Sequence, residues 1–149
     1  MSLSSELFAR PADLSPASRF TTMNGMVYLV SGLAFLAWPN LIQIVFRDAP
    51  FEGHEAALFR LLGMLLAIVG WLYIFGGLAG TRQFVWATIV DRVTIVPAVL
   101  VVMAINGIFP HLSIFFAVVD PAMAIGAYLL LHRRAPMPSR SPFGVRAPN

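Results

Sequence analysis

Four apolar runs, each long enough to cross a hydrocarbon layer about 30 Å thick as one helix, dominate this sequence. They cover residues 20–38, 56–80, 84–105 and 112–131. A backbone in lipid must satisfy its polar groups within the segment, so each run is expected to be helical. The reading is an all-α integral membrane protein, a single domain built as an antiparallel four-helix bundle. Composition agrees: 58% of the 149 residues are hydrophobic and 11% are charged, against about 25% charged in soluble domains. Mean hydropathy is +0.79. Four spans and their connections use up these residues, leaving no separate soluble catalytic domain.

Residues 1–19 are polar, contain two prolines and lack the charged start, apolar core and cleavage site of a signal peptide. The first span is therefore expected to act as its own insertion signal. Residues 41–55, "LIQIVFRDAPFEGHE", open apolar and turn acidic, which predicts an interfacial stretch followed by a turn at Pro50 and Gly53. Residues 133–149 form a Pro/Arg-rich tail, expected to be disordered alone in water. Arg10, Arg19, Arg82, Arg133, Arg134, Arg140 and Arg146 fall on one side of the four spans, Arg47 and Arg60 on the other. The positive-inside rule then places both termini in the cytoplasm. All ten basic residues are arginine, which points to GC-rich coding and a bacterial source, and hence to the inner membrane. "GMVYLVSG" at 25–32 echoes "GMLLAIVG" at 63–70, a similarity expected by chance between apolar helices.

With no cysteine there is no disulfide, thiolate metal site, CxxC pair or cysteine nucleophile. The pI of 10.2 and charge of +3 do not argue for nucleic acid, because the arginines sit at span ends and in the tail. Glu52, His54, Glu55 and His111 form a candidate polar cluster on the side opposite the termini, but their spacing matches no metal-ligand motif. A solvated helix start with acids favoured by the helix dipole is the simpler account. No cofactor is expected.

Charges inside the spans carry the functional argument. Residues three or four apart share a helix face, which groups Arg60 with Gly63, Ala67, Gly70 and Gly77, and Asp91 with Ala87, Thr94 and Ala98. Asp120 falls with Ser113, Ala117, Ala124 and Ala127, while Gly25 and Gly32 mark a face of the first span near Asn24 and Tyr28. Membrane helices pack through small residues and bond through polar ones, so these faces are expected to point inward. Asp91 and Arg92 are about 100° apart around their helix, which favours partners on other helices over direct pairing. Arg60 is expected to reach Asp120, and Arg92 to reach Asp91 or Asp120. Pro97 and Pro121 each free a carbonyl one turn earlier.

The stretch "FRLLGMLLAIVGWLYI" at 59–74, an arginine entering a span that bears Gly63 and Gly70, resembles the DoxX-like group of small four-helix bacterial membrane proteins. The resemblance covers residues 20–131 and implies either quinone-related redox chemistry or no characterised activity. This chain has no cysteine and no haem or flavin motif. Two readings follow for Arg60, Asp91, Arg92 and Asp120. In the first they clamp the helices of a non-catalytic accessory or assembly subunit, with other membrane subunits or a second copy as partner. In the second they bind, or carry with a proton, a lipophilic small molecule such as a quinone, the aspartates accepting and the arginines tuning them.

Overall fold

The computed structural model describes residues 13–132. The start of the N-terminal segment and the tail at 133–149 lie outside the described residues. Among the described residues there are five helices: α1 (Pro16–Ala37), α2 (Leu41–Phe46), α3 (Glu55–Leu78), α4 (Arg82–Ile105) and α5 (Pro110–His132). All but α2 are long and apolar enough to cross a membrane. The described residues contain no strand.

Helix α1 begins four residues before its apolar run. The Ser15 hydroxyl accepts the Ser18 amide at 3.1 Å, and a proline occupies the first turn. Together these form a strong helix start. It stops at Trp38 and Pro39, and the apolar half of the following loop folds as the short α2. The chain then turns through Gly53, in the left-handed region at φ 53°. Both internal prolines are absorbed, with α4 continuous through Pro97 and α5 through Pro121.

Two helix pairs organise the molecule. Along the first, α1 and α3 run antiparallel in backbone contact. A Cβ on Gly25 would sit 2.7 Å from the Gly70 carbonyl oxygen, and one on Gly32 would sit 2.7 Å from that of Gly63. The two echoing stretches are therefore the two halves of one seam. In the second pair, α4 packs on α5, with Val85 and Ile89 against Ala124 and Ala127, and Ala17 of α1 joins this cluster. Contact between α3 and α4 is sparse. At the near end, where α1 begins and α5 stops, the pairs meet through that cluster. At the far end they meet through Phe35, Ile42, Phe59 and Leu112, with Phe51 and Phe109 packed around them.

One polar device fixes the far end. Asp48, in the loop after α2, is buried and accepts the amides of His111 and Leu112, both at 3.1 Å. His111 Nδ1 adds a contact of 2.8 Å. These amides belong to the first turn of α5, which has no partner for them within the helix. A side chain 63 residues away thus caps α5.

Candidate functional site

Arg92 is the largest fully buried side chain described, with 2% of its surface exposed. Helix α4 turns it toward α1 and α3, where two tyrosines receive it. Its guanidinium carbon lies 5.2 Å from the ring centroid of Tyr28 and 4.7 Å from that of Tyr73. The two rings meet edge to face at 5.6 Å. A desolvated cation over an aromatic face gains about 2 kcal/mol, so two rings give the guanidinium a fixed seat without a carboxylate. Its Nε and Nη2 are buried and have no hydrogen-bond partner.

The carboxylates sit around this seat. Asp120 is buried and accepts the Tyr28 hydroxyl. Asp91 is partly exposed and receives the Tyr73 hydroxyl at 3.5 Å, a long contact. No nitrogen of Arg92 stands within 4.0 Å of either carboxylate. Asn24, on α1, is fully buried with both side-chain polar atoms unpartnered.

Tyr28, Tyr73, Asp91, Arg92 and Asp120 close one end of a cavity of about 430 Å³. From there it runs toward the far end between Leu66 and Val69 of α3 and Val96 and Val99 of α4, with Phe116 of α5 as floor. Its far end is stopped by Phe35, Phe109 and Leu112. The cavity is a partly open cleft, with Leu62 of α3 and Val99 of α4 both lining it and about half exposed, and α3 and α4 touch little. The charged and phenolic groups gather at one end, and apart from Ser113 hydrocarbon lines the rest. That layout suits the apolar body and polar head of a small amphiphile, in the size range of about 300–1,000 Å³ usual for ligand sites.

The expected network is rearranged. Asp91, Arg92 and Asp120 are brought together, but Arg60 is exposed and does not line the cleft. The glycine face of α3 lies in backbone contact with α1 and has no room for a long side chain, so the Arg60 to Asp120 pair does not form. On α4 the inward face is offset from the expected one. Ala87, Thr94 and Ala98 are exposed, while Val85, Thr88, Ile89 and Arg92 are buried. The stripes at Gly63 to Gly77 and at Ser113 to Ala127 do face inward, apart from half-buried Ala117. The polar cluster on the far side does not converge either. Glu52, His54 and Glu55 are exposed, and His111 turns to Asp48. No three potential ligands gather for a metal among the described residues.

Sequence reasoning missed Tyr28 and Tyr73 as the hosts of Arg92. The signal was present in the spacing: Tyr28 lies three residues after Gly25 and Tyr73 three after Gly70, on the faces that meet. Comparison with family models, with curated proteins and with solved structures finds no match to this chain.

Proposed function

We propose that this chain is an integral protein of a bacterial inner membrane, its four long helices forming an antiparallel bundle with both termini cytoplasmic, and that it binds a lipophilic small molecule. A place among the DoxX-like proteins belongs to the same proposal. The observation that carries it is the cleft between α3 and α4, apolar along its length and polar at one closed end. The ligand enters from the bilayer between these helices and sets its polar head against Asp91, Arg92 and Asp120. Nothing in the arrangement calls for a covalent step. An accessory subunit clamped by arginine–aspartate pairs is the weaker reading, since neither carboxylate has an arginine nitrogen within 4.0 Å.

Native mass measurement of the full chain from an uncharged detergent tests this. The wild type is expected to retain one lipophilic molecule per chain. Val99→Trp, at an exposed position on the rim, fills the cleft and is expected to lose that molecule while keeping its thermal unfolding midpoint. A ligand-free wild type, or a variant that retains the same molecule, overturns the proposal.

A further inference from the structure

The formal charges that line the cleft do not balance. Arg92 brings one positive charge, Asp91 and Asp120 bring two negative ones, and no other Asp, Glu, Lys, Arg or His lines it. Uncompensated charge held away from bulk water is costly, and it is relieved by one more positive charge, either a bound cation or a proton on one carboxylate. Its place follows from the geometry. Asp120 takes the Tyr28 hydroxyl, and Arg92 stacks on the same ring. Asp91 has only the long contact from Tyr73, and it faces the cleft. The next basic residue on α4 is Arg82, nine positions away, or about 14 Å along the helix.

We propose that the cleft takes a lipophilic monocation, an amine-bearing or quaternary amphiphile whose charged head sits on Asp91 and whose apolar body lies along Leu66, Val96 and Val99. This rests on the cleft being a ligand site, as above. An anion fits poorly: it meets two carboxylates, while Arg92 is held between two rings with Nε and Nη2 shut away. A neutral molecule makes no use of the second carboxylate and leaves its charge to be met by a proton. A small inorganic cation gains nothing from the hydrocarbon walls that make up most of the lining.

Two probes of nearly identical shape and opposite charge, tetraphenylphosphonium and tetraphenylborate, separate these cases on the full chain in uncharged detergent. Saturable binding of one phosphonium per chain is expected, with none of the borate. Asp91→Asn is expected to weaken phosphonium binding by about tenfold or more, Asp91→Glu to preserve it, and Glu52→Gln, an exposed acid, to leave it unchanged. Thermal unfolding of each variant shows that the fold survives. Borate binding as well as phosphonium, or Asp91→Asn binding like the wild type, overturns the inference. If neither probe binds but the native measurement retains a neutral molecule that Val99→Trp loses, the cation is wrong and the cleft stands. If neither probe binds and nothing is retained, both fall.

Discussion

At the scale of single residues, the two tyrosines do different work although both touch Arg92. Tyr28 gives its hydroxyl to the buried Asp120, whereas Tyr73 reaches Asp91 only at 3.5 Å. Removing a donor from a buried acceptor costs about 1–3 kcal/mol. Tyr28→Phe is therefore expected to lower the thermal unfolding midpoint clearly and Tyr73→Phe to change it little, since each variant keeps the ring that seats the guanidinium. Equal losses from the two would contradict this assignment. Asp48 offers a second test, because its carboxylate satisfies two amides of α5 and a histidine ring nitrogen. Asp48→Ala is expected to cost about 2 kcal/mol or more. His111→Ala, which keeps both amide bonds to Asp48, should cost less in the same unfolding measurement.

At the scale of elements, the α1–α3 seam is the most tightly specified contact in the chain. Each of Gly25, Gly32, Gly63 and Gly70 places its missing Cβ against the backbone of the facing helix, which cannot give way as a side chain tip can. Gly32→Ala and Gly70→Ala are each expected to destabilise by about 1–3 kcal/mol. Gly126→Ala, whose Cβ would meet only the Phe20 ring at 3.3 Å, is the contrasting case. Comparable midpoints for all three would remove the seam from its role. Much of this level was legible in the sequence. The four long helices follow from the length of the apolar runs, with ends shifted by caps such as Ser15 that lie outside the hydrophobic signal. The faces of α3 and α5 followed from their small residues, because a glycine or alanine stripe has one purpose in close packing. The face of α4 did not. Its small residues Ala87, Thr94 and Ala98 point outward, and the face that wins is set by two tyrosines from other helices, a long-range condition that no local period records. The cap on α5 was hidden for the same reason, its donor and acceptor being 63 residues apart.

At the scale of the whole molecule, two tightly joined pairs touch each other sparsely, and the cleft lies between them, with α3 and α4 supplying most of its lining. Since α3 and α4 have little packing against each other, substitutions there are expected to act, under the proposed ligand-binding function, on occupancy more than on folding. Leu62→Ala and Val99→Ala, both at exposed rim positions, are expected to shift the unfolding midpoint little, in contrast to the seam glycines. A fall as large as that of Gly32→Ala would mean that the boundary is structural. The side opening has a further consequence for dosage. If the proposed ligand reaches the cleft from within the bilayer, the site is filled according to the ligand's mole fraction in lipid, not its concentration in water. Diluting the protein with buffer should leave occupancy almost unchanged, whereas adding empty vesicles at fixed volume should empty the site.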